Sequence, residues 1–349
     1  MCICSIRFNM RILVCIFKYY GDVLLTSPIY TTLRMEFPLA KIDVYLFKNT
    51  KVMLDGHPDI DEFITFDRNS KKFLYELRML MNVRRRKYDI VINMTSGDRG
   101  AIIALLSGAR IRVGIEPDKR GVFGKTKFFT NLIKNTNERR HIVEKNYDTL
   151  RSIGIFQKEN DTMELFFHVP DVELEKIKKI VPYDNFIVIH PFSRCSYKNW
   201  PIEKFVSLIN YLKYKGENVV ISGGIEGKKH VFDGALNLSG MTTVKELGAL
   251  IKLSKMLITV DSMPVHIASA LKQKVLVICG PSDDIKWGPW KNPNGDVVRL
   301  DIPCKRCDNE GCGGTWRSRC LYNLPVENVI SSLCKILTMP LNCEILTKI

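Results

Sequence analysis

Short apolar runs alternate with amphipathic helical patterns along most of this sequence, and that alternation restricts its fold more than any other feature. The first run, RILVCIF at positions 11–17, is apolar at almost every residue, as in a strand covered on both faces of a parallel sheet. Comparable runs follow at 42–47, 64–66, 89–93 and 111–114. Because helical patterns separate these runs, the chain is predicted to form an α/β fold with a parallel sheet and right-handed crossovers.

The same alternation starts again in the second half, after a connector near residues 155–182. Strands are predicted there at 185–190, 218–222, 256–260 and 275–279. A chain of 349 residues is also longer than a single hydrophobic core usually supports. We therefore predict two Rossmann-like, doubly wound domains with ligands at the carboxyl ends of their strands. The predicted divisions are residues 1–165, residues 166–335 and a C-terminal tail at 336–349.

The charge of the chain points to anionic partners. Lys and Arg outnumber Asp and Glu by 52 to 37, which gives a net charge of +15. Such an excess favours nucleic acid, acidic lipid or a phosphorylated ligand. Basic residues concentrate near 71–87 and 118–140. No aromatic RNA-binding motif or helix-turn-helix accompanies them, which argues against nucleic acid.

The cysteines allow two interpretations. There are 11 of them, and four have the spacing Cys304-x2-Cys307-x4-Cys312-x7-Cys320. Four thiolates could close a structural zinc site, but only the first pair has the usual zinc spacing, which favours a thiol-rich loop without metal. The apolar run at 12–17 is too short for a secretory leader or a membrane span, so reduced thiols in the cytoplasm are predicted.

The first candidate site follows the first predicted strand, at Gly21-Asp22. Glycine permits a tight turn and the close approach of a ligand. Asp22 stands where a helix begins, and on spacing alone an N-cap carboxylate is the favoured interpretation. The alternative is a general base at the mouth of a ligand cleft.

Two further candidates lie in loops that follow strands of the second half. Ser193, Arg194 and Lys198 precede a helix, so cations and helix N–H groups could together cradle an anion; a solvated polar loop is the alternative. The pair Gly223-Gly224 is a weak dinucleotide signal. Beyond it, Glu226 could accept hydrogen bonds from a ribose, or could simply be an acidic residue at a helix start.

The last candidate is the segment Asp261-Ser262-Met263-Pro264-Val265-His266. Asp261 and Ser262 stand at a predicted helix start, with His266 about one turn later, and this grouping favours a diphosphate or sugar site. A lone histidine at such a place is more often a packed, hydrogen-bonded residue. Another turn after a strand, Gly280-Pro281-Ser282-Asp283, could touch a ligand or only reverse the chain. Neither a zinc-protease motif nor a P-loop is present.

Taken in order, these motifs resemble glycosyltransferase family 9, the bacterial lipopolysaccharide heptosyltransferases of GT-B fold, and most closely its heptosyltransferase III branch. The resemblance covers about residues 10–335. It depends on Tyr20–Pro28, Phe37–Val44, His57–Ile60, Asp67-Arg68, Lys198–Trp200, Leu238–Gly240, Glu246–Ile251, Asp261–Ala268 and Trp287–Trp290.

The resemblance implies two domains facing across a cleft and an inverting transfer of L-glycero-D-manno-heptose from ADP-heptose to the lipopolysaccharide inner core. It implies that Asp22 is the general base. It further implies that Lys198 binds the diphosphate, with Ser193 nearby, and that Glu226 holds the ribose.

The remaining donor contacts are also implied by the resemblance. Thr242 and Val244 are expected beside the adenine. The start of the helix at 261–266 is expected to hold the diphosphate and heptose through Asp261, Ser262 and His266. Arg194, Gly223 and Gly224 are predicted to line the same donor site.

The partners follow from the same resemblance. No cofactor or metal is expected beyond the donor substrate, ADP-heptose. The acceptor is expected to be a lipid-anchored lipopolysaccharide core, which would place a cytoplasmic protein peripherally on the anionic inner membrane, with the basic run Arg84–Lys87 at that surface. A related transferase using another nucleotide sugar, or a basic nucleic-acid-binding protein, is the alternative.

Overall fold

The structure, a computed structural model, describes residues 10–68, 73–116, 124–134, 136 and 138–338. It divides into two compact units, Met1–Phe166 and Phe167–Ile349, where the sequence analysis places the division at 165/166. Each unit contains one six-stranded sheet. Among the described residues, no helix is both long and apolar enough to span a bilayer.

The first unit is a parallel sheet of order β3-β2-β1-β4-β5-β6 with helices between its strands. Its elements are β1 Arg11–Ile16, α1 Tyr20–Leu24, α2 Ser27–Glu36, β2 Lys41–Phe47, β3 Glu62–Phe66, α3 Phe73–Arg85, β4 Ile90–Asn93, α4 Asp98–Ser107, β5 Ile111–Ile115, β6 Asn131–Ile133 and α5 Ile142–Arg151. Strand β1 is central and almost wholly buried, which explains its continuous apolar sequence.

The second unit repeats this arrangement with the strand order β12-β11-β10-β7-β8-β9, again parallel. Its elements are α6 Asp171–Ile180, β7 Ile187–His190, α7 Ile202–Tyr214, β8 Val219–Ile221, β9 Leu236–Asn237, α8 Val244–Leu253, β10 Met256–Val260, α9 Met263–Ala270, β11 Val275–Ile278, α10 Asp284–Trp287, β12 Gly295–Val298, α11 Arg319–Tyr322 and α12 Val326–Leu337. Helix α12 continues past position 335, where the tail is predicted to begin.

In each sheet, the order in which successive strands are added reverses at one place. In the first unit the chain builds outward from β1 on one side and from β4 on the other, and these two strands are neighbours; β7 and β10 have the same relation in the second unit. This is the topological switch point at which ligands of such sheets bind. Residues that leave these four strands at their carboxyl ends are therefore the first candidates for a site.

The two doubly wound parallel sheets confirm the predicted α/β architecture. Three strands, β6, β9 and β12, were not predicted. Each is an edge strand of two to four residues that is only partly buried, so its sequence does not need to be continuously apolar. Helix α6 occupies the segment that the sequence analysis treats as a connector.

Candidate functional site

An ion pair lies across the switch point of the second unit. Lys198 follows β7 in a short 3-10 helix at Ser196–Lys198, and Asp261 directly follows β10. The Lys198 ammonium donates to Asp261 Oδ2 over 2.7 Å. The side chains are 24% and 8% exposed, respectively, so the carboxylate is buried while the ammonium still reaches solvent. Two residues that the sequence places in separate motifs thus meet at one point.

The Lys198 side chain keeps its positive charge at neutral pH. Burial acts to lower the pKa of Lys198, but the adjacent Asp261 carboxylate outweighs this effect, and the pKa lies above its ordinary value. The side chain therefore stays protonated through the neutral range. A positive charge held in place by a buried carboxylate can stabilise an anion that arrives from the solvent side.

Helix α9 begins immediately beyond Asp261. Ser262 occupies its N-cap position, but the hydroxyl makes no capping bond and donates instead to the carbonyl of Val260 over 3.1 Å. In the first turn of α9, Pro264 has no N–H and the Val265 N–H donates to the carbonyl of Ser262 over 3.1 Å. Met263 therefore has the N–H that could meet a ligand. His266 lies one turn further along and is buried. The structure thus places Asp261 and Ser262 at the switch point and His266 inside the helix that starts there.

A cavity of about 260 Å³ adjoins the ion pair. It is lined by Tyr197, Lys198, Pro281, Ser282, Lys286, Trp287 and Asp308. Of these residues, Lys198 was predicted as a site residue, and Pro281 and Ser282 belong to the turn for which ligand contact was left open. Signals for others existed, since Pro281 and Ser282 follow a strand and Trp287 belongs to the family-like segment at 287–290. Nothing in the sequence indicated Asp308.

The short helix α10, which contributes Lys286 and Trp287 to this cavity, is held by two arginines. Arg299 Nη1 lies 2.9 Å and Arg306 Nε 2.6 Å from Asp284 Oδ1. Burial acts to raise the pKa of Asp284, but the two guanidinium groups outweigh it and the pKa lies below its ordinary value. Asp284 is therefore an ionised anchor for the cavity wall.

The cysteine-rich segment packs against the same cavity. Ser318 Oγ donates to the carbonyl of Tyr197 over 2.6 Å, the Trp316 ring lies 5.7 Å from the Tyr197 ring, and the Asp308 N–H donates to the carbonyl of Pro281. Cys304 and Cys307 are exposed, Cys312 is half-buried and Cys320 is buried. In the part of the chain that the structure describes, no three His, Cys, Asp or Glu side chains form a group able to hold a metal ion.

Some polar groups of the predicted anion-binding loop form hydrogen bonds with other residues of the same loop. The Ser193 N–H donates to Asn199 Oδ1 over 2.7 Å, and Ser193 Oγ accepts from the Cys195 N–H at 3.3 Å. These bonds shape the loop that presents Lys198. Arg194 lies in the same loop and is exposed. Ser193 is therefore a residue that shapes the loop, and Lys198 is the group that reaches the cavity.

Next to this loop, two further strand-end turns are joined. His190 Nδ1 lies 3.0 Å from Ser222 Oγ, which links the ends of β7 and β8. Desolvation lowers the pKa of His190 to about 4, so its ring is neutral at physiological pH. The Gly240 N–H donates to the carbonyl of Gly223 over 2.8 Å and joins the turns after β8 and β9. Sequence reasoning did not select His190.

The backbone of the glycine pair is one that other residues could also adopt, and its place in the donor site stays a prediction. Neither Gly223 nor Gly224 has a positive φ, and a Cβ on Gly224 would meet only the flexible carboxyl group of Glu226. The close approach occurs at Gly227, where a Cβ would overlap the side chain of the buried Ser239. Glu226 itself is exposed in the short 3-10 helix Ile225–Lys229, where a ribose could reach it.

Thr242 and Val244 flank the start of α8. The residue between them, Thr243, is the N-cap and forms a capping box with Glu246, which satisfies two helix N–H groups. Because the turn at Gly240 bonds to Gly223, Thr242 belongs to a loop adjacent to the glycine pair. The predicted donor residues of the second unit thus lie in loops at the carboxyl ends of its strands, from Asp261 to Thr242.

Asp22 lies at the equivalent end of the sheet in the first unit. Tyr19 is the N-cap of α1 and makes no side-chain cap bond, while Asp22 is inside the first turn. The favoured N-cap interpretation is therefore wrong. The carboxylate is 23% exposed and lies 3.8 Å from the Lys18 ammonium. A partly exposed carboxylate beside the switch point is free to accept a proton from a bound hydroxyl.

A hydrogen bond connects the two strand ends near Asp22. The Phe17 N–H donates to Thr95 Oγ1 over 2.9 Å, which connects the residues following β1 and β4 across the switch point. Behind α1, the Asp59 N–H donates to His57 Nδ1, so His57 Nε2 donates to the carbonyl of Ser27 at 3.1 Å. Burial lowers the pKa of His57, so this ring is a neutral brace for the start of α2.

Comparisons with known proteins identify the family of the chain. The family described as glycosyltransferase family 9 (heptosyltransferase) matches residues 77–314. The chain is 29% identical, over 92% of its length and 97% of the relative, to lipopolysaccharide heptosyltransferase 3 of Escherichia coli. It is 31% identical to the protein of that name in strain K12, over 78% of the chain and 83% of the relative.

Solved structures show the same architecture. The E. coli ADP-heptose lipopolysaccharide heptosyltransferase II superposes with a TM-score of 0.77 at 21% identity, covering 94% of this chain and 99% of the other. E. coli heptosyltransferase WaaC with ADP gives a TM-score of 0.71 at 18% identity, covering 94% and 100%. These matches confirm the predicted GT-B fold.

Proposed function

The chain belongs to glycosyltransferase family 9, and we propose from this premise that it transfers L-glycero-D-manno-heptose from ADP-heptose to the lipopolysaccharide inner core as a branch heptose. Two of its relatives are named lipopolysaccharide heptosyltransferase 3, which supports heptose transfer. The observation that carries the proposal is the Lys198–Asp261 pair beside a cavity at the switch point of the second unit. That position suits a nucleotide diphosphate.

The reaction assigns one role to each unit. In the first, the Asp22 carboxylate takes the proton of an acceptor hydroxyl, whose oxygen attacks the anomeric carbon of the donor heptose. The bond between that carbon and the β-phosphate oxygen breaks, and the configuration inverts. In the second unit, Lys198 stabilises the negative charge that the departing ADP gains.

The remaining contacts of the donor extend along the carboxyl ends of the strands. Asp261 holds Lys198 in position and offers negative charge near an oxocarbenium-like sugar. At the start of α9 the Met263 N–H donates to the diphosphate, and Glu226 accepts hydrogen bonds from the ribose. Thr242 belongs to the loop on which the adenine would rest. Because Lys198 supplies the positive charge, we expect the transfer to require no cofactor.

The acceptor determines where the protein works. A lipopolysaccharide core is anchored in lipid, so an enzyme acting on it works at the cytoplasmic face of the inner membrane, and the net charge of +15 suits that anionic surface. We propose peripheral association of a cytoplasmic protein on these grounds.

The test is an assay of ADP release. Purified protein is incubated with ADP-heptose and a truncated, deacylated core acceptor, and product is identified by mass spectrometry. We expect acceptor-dependent ADP release that Asp22→Ala abolishes. Absence of release, or equal release by the Asp22→Ala variant, would contradict the proposal. Competition by ADP- and UDP-hexoses identifies the alternative in which the donor sugar differs.

A further inference from the structure

The outer faces of α3 and α4 carry an uncovered apolar surface. It consists of Leu77 and Met81 on α3, and Ile102, Leu105 and Leu106 on α4, each between 39% and 45% exposed. The spacings i, i+4 and i, i+3, i+4 place each set on one side of its helix. We call these five residues the α3–α4 surface.

The same helices are apolar on their inner faces as well. Val83 on α3 and Ile103 and Ala104 on α4 are buried in the core of the first unit. Helix α4 is apolar on both faces from Ala101 to Leu106, and a helix that is apolar all round is normally covered on every side. Here the outer side is covered by nothing among the described residues, so these two helices carry more apolar surface than the fold of the unit uses.

The two helices form one continuous face. They pack against each other, and Arg99 at the start of α4 donates to Glu76 at the start of α3 over 2.8 Å. At the other end, the Arg84 guanidinium lies against Gly108, the residue that ends α4. The α3–α4 surface is therefore held together at both ends.

The charges around this surface have one sign. Its exposed border contains the cations Arg78, Arg84, Arg85, Lys87 and Arg110. The two helices contain only two acidic residues, Glu76 and Asp98. Each is paired with a cation at 2.8 Å, Arg99 and Lys125 respectively. An apolar centre with an unneutralised cationic border matches an anionic lipid bilayer, which offers hydrocarbon beneath negative headgroups.

We propose that the α3–α4 surface docks the protein on an anionic lipid bilayer, with the five apolar side chains entering the headgroup region. The inference rests on the proposed function for its purpose, since the acceptor there is lipid-anchored. Helix α4 begins after β4, next to β1 in the sheet, and runs back toward the amino ends of the strands, so the cations Lys87 and Arg110 lie at the end of the sheet opposite Asp22. The docked surface would therefore hold the first unit at the bilayer that carries the acceptor.

The test measures partition of the full chain into vesicles by flotation. Vesicles of phosphatidylethanolamine with phosphatidylglycerol are compared with vesicles of phosphatidylcholine. The variant Leu105→Gln/Leu106→Gln removes two side chains that are each 44% exposed, and we expect partition into the anionic vesicles to fall about 30-fold. Arg78→Gln/Arg85→Gln, which leaves Arg84 in its contact with Gly108, is expected to cause a similar, salt-sensitive loss of about 30-fold.

The matched control is Val172→Gln, an exposed apolar residue on α6 of the second unit, and its partition is expected to equal that of the wild type. All variants should keep the wild-type melting temperature, because the replaced side chains lie at the surface. Turnover with a deacylated, lipid-free acceptor should also stay within about twofold of wild type.

Three outcomes would overturn the proposal. The first is partition of the wild type that does not depend on anionic lipid, and the second is unchanged partition of both surface variants. The third is a wild-type dimer in solution that Leu105→Gln/Leu106→Gln converts to a monomer, since a second copy would then cover the surface. Failure of the transferase assay with normal vesicle partition would contradict the proposed function alone.

Discussion

Replacing Lys198 with glutamine removes one charge from the switch point of the second unit and leaves its partner behind. Asp261 is 8% exposed and receives the ammonium at 2.7 Å. The substitution therefore has two separate consequences. It leaves a buried carboxylate without its cation, and it removes the positive charge proposed to stabilise the departing ADP.

The structure sets the size of each effect. Breaking a fully buried ion pair costs about 3–5 kcal/mol, but Lys198 is 24% exposed, so water can partly replace it. We expect a loss of about 2 kcal/mol in the free energy of unfolding, or roughly 4–8 °C in melting temperature. Loss of one preorganised group beside a developing anion is expected to lower kcat about 10²–10³-fold.

The pH dependence follows from the direction of the shift. Because the pKa of Lys198 is raised above its ordinary value of 10.5, its contribution to stability is complete below that pH. It is lost only as the pH rises through the folded-state value. The stability difference between wild type and Lys198→Gln should therefore not vary through Lys198 between about pH 6 and 9.

The assay combines thermal unfolding with initial rates of ADP release for Lys198→Gln, Asp261→Asn and the double variant. In the double variant both charges are absent, so we expect part of the lost stability to return while kcat stays low. Lys198→Arg is the matched control, since it keeps the charge.

Two results would refute the reasoning. If Lys198→Gln lowers the melting temperature but leaves kcat within about twofold of wild type, the pair supports the fold and has no part in transfer. If neither single variant changes the melting temperature, the two charges do not stabilise each other in solution.

Three other sites give separate predictions. Asp22→Asn should lower kcat about 10²–10⁴-fold with an unchanged donor KM and melting temperature, measured by ADP release, because only the proton acceptor is lost; a change in KM alone would contradict this role. His190 has a depressed pKa of about 4, so the unfolded chain binds more protons below about pH 6.5 and stability falls by roughly 3 kcal/mol as the pH drops toward 4. Urea titrations at several pH values should show this loss in the wild type and not in His190→Gln. Gly227→Ala should destabilise the second unit by about 1–3 kcal/mol through overlap with Ser239, whereas Gly224→Ala should be close to neutral in thermal unfolding; equal effects would contradict the assigned close approach.

The central strands could be predicted because burial on both faces forces an apolar sequence. The run at 11–17 reports β1 directly, since hardly any position in that strand faces water. The edge strand β9 has two residues and leaves no such trace. That segment is a strand because it pairs with a neighbouring strand, and its own composition does not indicate one.

The site shows the same limit. The sequence pointed to Lys198 and Asp261 as members of separate motifs, but the two are 63 residues apart. The identity of Asp22 was visible, while its place inside the first turn of α1 was not. An N-cap and a first-turn residue differ only in backbone geometry, which spacing alone does not resolve.

By itself, the sequence determined the alternation of strands and helices, the two parallel sheets, the basic charge and the residue types available for transfer chemistry. These are local properties, because periodicity and charge can be read from neighbouring residues. The tertiary structure alone decided that β7 adjoins β10, that Asp308 reaches the cavity and that, among the described residues, the outer apolar side chains of α3 and α4 stay partly exposed. Each of these depends on which distant segments pack together, and packing is a property of the folded chain as a whole.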